Sequence, residues 1–97
     1  MPVLHIEHPI TDFDTWRSAF DHFAAAREAA GVIGQRIFRP VDDDAYVLVD
    51  LDFAFEGEAD RFLAFLQANV WSSREASPAL VGEPRTMILT AVPTGPA

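Results

Sequence analysis

The side chains best suited to acid-base chemistry stand at alternating positions of two short apolar segments. His5 and Glu7 alternate with apolar residues near the start of the chain, and Asp50 and Asp52 do so near its middle. Because successive side chains of a β-strand point to opposite faces, each pair shares one face. If the two segments are neighbouring strands, His5 and Asp50 can form an acid-base pair suited to proton abstraction.

Two further residues could bind the oxygen atoms of a ligand beside that pair. Arg36 offers a planar guanidinium and Tyr46 a phenolic hydroxyl. We predict that His5, Asp50 and Tyr46 are catalytic. We also predict that Arg36 and Glu7 bind a ligand. The alternative is that the charged members of this set are solvated or form cross-strand ion pairs on the sheet surface.

The two tryptophans have different expected roles. Trp16 falls on the apolar stripe of a predicted helix, which indicates a core residue. Trp71 follows the second predicted helix, where it could line a pocket, contact a second copy of the chain or pack in the core. We include Trp71 among the ligand-binding candidates.

The sequence contains none of the standard metal or cofactor motifs. His5 and His8 are three residues apart on a predicted strand, so their side chains leave opposite faces and cannot readily bind one ion. The run 42–44 of three Asp lacks the alternating spacing of a calcium loop. There is no glycine-rich nucleotide loop and no G-x-S-x-G sequence. We therefore predict no metal and no bound cofactor.

These candidate residues are positioned by a predicted order of strand, helix, two strands, helix and strand. The boundaries of these elements are taken from strand alternation, helical spacing, helix-starting residues, Gly31 and the Pro-rich turns. The predicted strands cover 1–8, 32–39, 45–53 and 86–92, and the predicted helices cover 12–30 and 57–71. We predict a single domain over 1–92, a loop over 72–85 and a flexible C-terminal tail over 93–97.

This order is the α+β, ferredoxin-like βαββαβ arrangement. It predicts a four-stranded antiparallel sheet with both helices on one face and the first and third strands adjacent at the centre. Residues 46–49 are apolar on both parities, so the open face should also be covered. The simplest cover is the same face of a second copy, which gives a homodimer. The alternative is a monomer with an apolar sheet face.

Composition excludes several other classes of protein. The chain has 97 residues, 7 of them Arg and 15 acidic, with no Lys and no Cys, and its formal net charge is −8. Seven scattered Arg cannot form the basic face that nucleic acid requires. No segment approaches the roughly 20 apolar residues of a membrane span, and the N-terminus lacks signal-peptide features. We predict a cytoplasmic protein that binds neither nucleic acid nor membrane.

Three motifs carry a resemblance to a known superfamily. They are residues 12–16 with Phe20, the Gly31-Val32 entry to the second strand, and the acidic and apolar strand at 46–53. With the element order, the chain resembles the dimeric α/β-barrel superfamily of antibiotic-biosynthesis monooxygenases, haem-degrading monooxygenases and small polyketide cyclases. The resemblance implies a dimer and a small aromatic or hydrophobic ligand between sheet and helices. Haem-degrading relatives use an Asn, a Trp and a His from separate elements. Because Asn69 and Trp71 are nearly contiguous here and no His matches, the resemblance does not imply haem chemistry.

Two functions remain open at this point. The first is a small dimeric protein that binds a hydrophobic or aromatic ligand and acts on it as a cofactor-independent monooxygenase or cyclase. The alternative is a non-catalytic module whose open sheet face serves only self-association or binding of another protein. A lack of any enclosed pocket of roughly 300 Å³ or more in the assembled dimer would count strongly against the enzyme. The sequence does not decide whether the chain is an enzyme.

Overall fold

The computed structural model describes residues 1–96, which contain four strands, three α-helices and one π-helical turn. The elements are β1 (Pro2–Pro9), α1 (Phe13–His22), α2 (Ala24–Ala30), β2 (Val32–Phe38), β3 (Tyr46–Phe53), α3 (Glu56–Phe65), the π turn (Leu66–Val70) and β4 (Arg85–Thr90).

The strands form one antiparallel sheet in the order β2-β3-β1-β4. The predicted ferredoxin-like arrangement is therefore confirmed, with β1 and β3 at the centre. In the register between them, His5 is directly opposite Asp50, and Arg36 of β2 is opposite Asp50 from the other side. Residues directly opposite in an antiparallel pair share one face, so these three side chains are neighbours.

The core lies on the helix-covered side of the sheet. Along β3 every second residue is buried, which is the alternation expected of a strand with one face against the core. Leu4 of β1 and Phe53 of β3 are fully buried, and Phe62 of α3 packs on Phe53 with ring centroids 6.1 Å apart. Trp16 is buried against Phe20, which confirms its predicted place in the core. Burial of a side chain of this size contributes about 1.5–3 kcal/mol.

The first helical segment is two helices rather than the one predicted over 12–30. Asp12 caps α1 by accepting a hydrogen bond from the Thr15 backbone N–H at 2.9 Å, as expected of a residue at this position. The helix ends at Phe23, whose φ of −95° and ψ of 15° leave the helical region and whose N–H turns back to the Phe20 carbonyl. Neither Gly nor Pro marks this break. At the far end Gly31 adopts a φ of 99° and closes α2, as predicted.

The second predicted helix, 57–71, also changes geometry before its end. It is α-helical from Glu56 to Phe65 and then widens into the π turn. The Trp71 N–H bonds to the Leu66 carbonyl at 2.8 Å, five residues back. A π turn holds one more residue than an α-helical turn. Trp71 therefore leaves the helix in a direction that α-helical spacing does not predict.

The last strand is Arg85–Thr90, not 86–92 as predicted. Thr90 pairs with Pro2, the first residue of β1, so the neighbouring strand offers no further backbone partner. Residues 91–96 belong to no helix or strand, and position 97 of the predicted tail lies outside the described residues. At the other end, Pro9 is the last residue of β1 and pairs with Tyr46.

Candidate functional site

Five of the six predicted site residues meet on the open face of the sheet. His5 and Glu7 come from β1, Tyr46 and Asp50 from β3, and Arg36 from β2. Strand register brings them together, because this face receives the odd-numbered side chains of β1 and the even-numbered side chains of β3. The sequence left open which parity of each strand faces away from the helices, and the structure places these side chains on the open face.

His5 is held between two carboxylates. Its Nδ1 is 2.6 Å from Asp50 Oδ1, and its Nε2 is 2.7 Å from Glu7 Oε2. The Tyr46 hydroxyl donates to the other Glu7 oxygen at 2.7 Å. The hydrogen bond to Glu7 is the largest influence on the His5 pKa and, with Asp50, raises it above the ordinary 6.5. The same bond lowers the pKa of Glu7.

Arg36 continues this network towards the edge of the sheet. Its Nη1 and Nη2 donate to the two carboxylate oxygens of Asp52 at 2.8 and 3.0 Å, and Nη2 is 3.9 Å from Asp50. The guanidinium lowers the pKa of Asp52. Gly34 lies opposite Asp52, and a Cβ there would come within 2.7 Å of Asp52 Oδ2. The absence of a side chain at Gly34 therefore leaves room for the Asp52 carboxylate.

The open-face network has the form of a cross-strand ion cluster. Both ring nitrogens of His5 are bonded to carboxylates, so His5 offers no free nitrogen to accept a proton from a ligand. The Arg36 guanidinium is likewise directed at Asp52. Apolar side chains surround the cluster on this face: Phe38 is 48% exposed, Met87 55% and Leu89 41%.

Trp71, the sixth predicted residue, is not part of this network. It lines a cavity of about 80 Å³ on the opposite side of the sheet, between the sheet and the helices. Aromatic rings form much of the wall, and they belong to Trp16, Phe20, Phe23, Phe62 and Trp71. The cavity is thus suited to a flat apolar molecule, and it is separated from His5 by the sheet itself.

His8 is one of two buried polar residues on this cavity. Its side chain is buried on the core face of β1, and its Nδ1 donates to the Pro9 carbonyl at 2.8 Å. Burial lowers the His8 pKa below 6.5, which favours the neutral imidazole at pH 7. With the proton on Nδ1, the Nε2 lone pair is an acceptor, and within residues 1–96 no side chain or backbone group bonds to it.

Arg27 is the second buried polar residue, and it is the one charged side chain on the cavity wall as described. Its Nε donates to the Gln35 side-chain oxygen at 3.0 Å, and its Nη1 donates to the Phe20 carbonyl. The Phe20 carbonyl is accessible because the helix breaks three residues later. The guanidinium carbon also lies 3.6 Å from the centre of the Phe20 ring. Burial lowers the pKa of Arg27.

Sequence reasoning missed both His8 and Arg27, although a signal was present. His8 has the same strand parity as Leu4 and Ile6, so it falls on the apolar face. Arg27 is four residues after Phe23 and continues the stripe of the first helical segment. A titratable residue on an otherwise apolar face is the observation that would have identified each of them.

The described residues contain no group of three or more His, Cys, Asp or Glu side chains arranged to hold a metal ion. None of their helices has the length and apolar character needed to cross a lipid bilayer.

Known structures share this fold. No protein-family model matches the chain, and no curated protein sequence matches it. Among solved structures, SnoaB, a cofactor-independent oxygenase from Streptomyces nogalater, is 17% identical with a TM-score of 0.74, and the match covers 99% of this chain and 97% of that one. The ActVA-Orf6 monooxygenase of Streptomyces coelicolor, solved with nanaomycin D, is 16% identical with a TM-score of 0.62 over 96% and 88% of the two chains.

A third similar structure is a dimeric ferredoxin-like protein from an uncultured marine organism, 6% identical, with a TM-score of 0.61 over 94% and 96% of the chains. The chain therefore has the α+β, ferredoxin-like fold of the antibiotic-biosynthesis-monooxygenase-like proteins. At these identities the similarity concerns the fold.

Proposed function

We propose that this chain is a cofactor-independent oxygenase that binds a small aromatic molecule in the cavity between sheet and helices. The observation that carries the proposal is His8, buried on the wall of an aromatic-lined cavity with its Nδ1 bonded to the Pro9 carbonyl, where burial lowers its pKa. A lone pair on Nε2 is the group needed to remove a proton from a phenol, and the apolar wall favours a flat ring. We assign the base to His8 rather than His5 because both ring nitrogens of His5 are already bonded.

A phenol with a free para position allows a balanced reaction without a cofactor. His8 Nε2 takes the phenolic proton, and the electron-rich phenolate reduces O₂. The oxygen then bonds to the para carbon as a hydroperoxide. His8 returns the phenolic proton to the bound oxygen, which completes the hydroperoxide. His8 then takes the para hydrogen as a proton, the electron pair of that C–H bond forms the second carbonyl as the O–O bond breaks, and the departing hydroxide accepts the proton and leaves as water. One phenol and one O₂ thus yield one quinone and one H₂O, and the substrate supplies all the electrons.

The size of the cavity limits the substrate. At about 80 Å³ it is well below the roughly 300–1,000 Å³ of pockets that enclose drug-sized ligands. We therefore propose a substrate of one or two rings, admitted by movement of the wall at Trp71. Trp71 keeps its predicted role as a ligand-binding residue in this proposal. Oxygenation as the reaction class is supported by two proteins of the same fold: SnoaB is a cofactor-independent oxygenase, and the ActVA-Orf6 protein is a monooxygenase.

We also propose that the chain is a homodimer through its open sheet face. The exposed side chains of Phe38, Met87 and Leu89 surround the ion cluster of His5, and a second copy would cover all of them. In this proposal Glu7, Tyr46, Asp50 and Arg36 hold the two sheets in register rather than contact substrate. The alternative function, a self-associating module without a ligand, is favoured by the same exposed side chains.

The test is oxygen consumption with 1-naphthol, whose product, 1,4-naphthoquinone, is followed by absorbance. His8→Gln removes the base, and we expect at least a 100-fold lower rate above the uncatalysed reaction. His22→Gln is the matched control, since His22 is exposed at the end of α1, and it should keep the wild-type rate. A wild-type rate in His8→Gln would remove His8 from the mechanism. Failure of the wild-type chain to bind or oxidise 1-naphthol would favour the non-catalytic module.

A further inference from the structure

Arg27 is a buried cation without a carboxylate partner. It is 6% exposed, and no Asp or Glu in residues 1–96 comes within 4 Å of its guanidinium nitrogens. Asp21 acts on Arg27 only from a greater distance, and Asp21 is itself paired with Arg17 at 3.0 Å. Buried charges in proteins are normally paired, because an isolated charge loses its hydration without compensation.

We infer that the ligand of the cavity carries an anionic oxygen that pairs with Arg27. This inference rests on the proposed function, since it concerns an occupant of the same cavity. The ligand class is an aromatic ring bearing a carboxylate or an ionised hydroxyl. Arg27 binds and orients that oxygen, while His8 is left for the second polar group of the ligand.

The hydrogen-bond inventory of Arg27 supports this inference. A guanidinium has five N–H groups. Two of those on Arg27 donate to the Gln35 side chain and the Phe20 carbonyl, which leaves three N–H groups for a ligand. Nη2 makes no hydrogen bond within the described residues. It is also not sealed in the interior, since no fully buried side-chain nitrogen or oxygen there lacks a partner. The remaining donors on a cavity-lining cation are suited to a carboxylate or phenolate oxygen.

The contacts that Arg27 does make keep the guanidinium in place. Gln35 holds Nε from β2, the Phe20 carbonyl holds Nη1 from α1, and the Phe20 ring packs on the guanidinium plane at 3.6 Å. All three partners are electrically neutral, so they orient the cation without neutralising it. A cation that is oriented in advance binds an anion with less loss of side-chain entropy.

The charge of the whole chain makes an anion preference diagnostic. The formal net charge is −8, so the general field of the protein repels anions. A preference for an anionic ligand over a neutral one of the same shape must then come from a local positive group. Arg27 is that group in this cavity.

The experiment compares 2-naphthoate with 2-naphthamide, two ligands of nearly the same shape that differ in charge. Dissociation constants are measured by calorimetry and tryptophan fluorescence at pH 7. In the wild-type chain we expect 2-naphthoate to bind at least tenfold more tightly. In Arg27→Met this preference should disappear, while 2-naphthamide keeps its affinity within about threefold. Arg17→Met is the matched control, because Arg17 is an exposed Arg on α1, and it should keep the full preference.

The outcomes separate the inference from the proposed function. Equal binding of both ligands to the wild-type chain would overturn the anion inference and leave the aromatic cavity standing. If the wild-type chain binds neither naphthalene ligand, and neither benzoate nor benzamide as the smaller pair, the proposed function is overturned as well. If Arg27→Met does not fold, the anion inference is tested instead on the wild-type chain, by the Arg27 Nε–H signal in ¹H–¹⁵N NMR. It should move on addition of 2-naphthoate and not of 2-naphthamide, and an unmoved signal counts against the inference.

Discussion

His5 and His8 lie three residues apart on β1 and face opposite sides of the sheet, and their pKa values move in opposite directions. Two carboxylates hold the proton on His5 and raise its pKa, whereas burial without a carboxylate lowers the pKa of His8. The same residue type therefore favours a cation on the open face and a neutral imidazole on the cavity. Each shift links the stability of the fold to a different range of pH.

His5 should stabilise the fold most strongly at mildly acidic pH. Its pKa in the folded state is raised, so its contribution is complete below about 6.5 and is lost as pH rises through the folded-state value. His5→Gln breaks two charge-assisted hydrogen bonds, and we expect a loss of about 1–3 kcal/mol at pH 6. The loss should shrink towards pH 9. Urea unfolding of both chains from pH 6 to 9 measures this difference, and a loss that stays constant with pH would contradict the ion pairing.

His8 should have the opposite effect. The unfolded chain binds a proton on His8 near pH 6.5, whereas the folded chain binds it only at lower pH. The free energy of unfolding should therefore decline as pH falls below 6.5. His8→Gln should remove the part of this decline that comes from His8. Above pH 6.5 the difference in free energy of unfolding between the wild-type chain and the variant should stay constant with pH. Urea unfolding from pH 5 to 8 provides the measurement, with His22→Gln as the control that should follow the wild-type curve.

Sequence reasoning predicted the open face better than the cavity. Alternation along β1 and β3 fixes which side chains share a face, and this was sufficient to bring His5 to Asp50. The cavity depends on features that leave no such periodic signal. The break at Phe23 makes the Phe20 carbonyl available to Arg27, and the π turn redirects Trp71. Neither Gly nor Pro marks either irregularity, so no local residue signals it in the sequence.

The proposed dimer predicts a strong effect of charge on the open face. Met87 is 55% exposed on β4 and lies directly opposite His5. Met87→Glu would bury an unpaired carboxylate between two sheets, so we expect a sedimentation mass near the 10.7 kDa of one chain instead of twice that value. Val41→Glu is the control, since Val41 is fully exposed in the β2–β3 turn and the variant should remain a dimer. A wild-type chain that sediments as a monomer would overturn the proposed assembly.

Two glycines should respond to alanine in opposite ways. Gly31 ends α2 with a φ of 99°, and a Cβ there would clash with the Glu58 carboxylate. We expect Gly31→Ala to lower the free energy of unfolding by about 1–2 kcal/mol. Gly57 lies in the first turn of α3, where a Cβ meets Arg61 Nη1 at 3.4 Å. Gly57→Ala should raise stability by about 0.5–1 kcal/mol. Thermal unfolding distinguishes the two, and a stabilising Gly31→Ala would contradict the left-handed assignment.

The central place of β1 has a consequence for the order in which the molecule assembles. β1 is made first, yet its two partners are β3, some 45 residues later, and β4, the last strand of the described chain. Its backbone stays unpaired until β3, which ends at Phe53, has been made. Such distant pairing is slow, because a long loop must close before any contact forms. Both edges of β1 are paired only once β4 is in place, and removal of β4 would leave β1 with one partner.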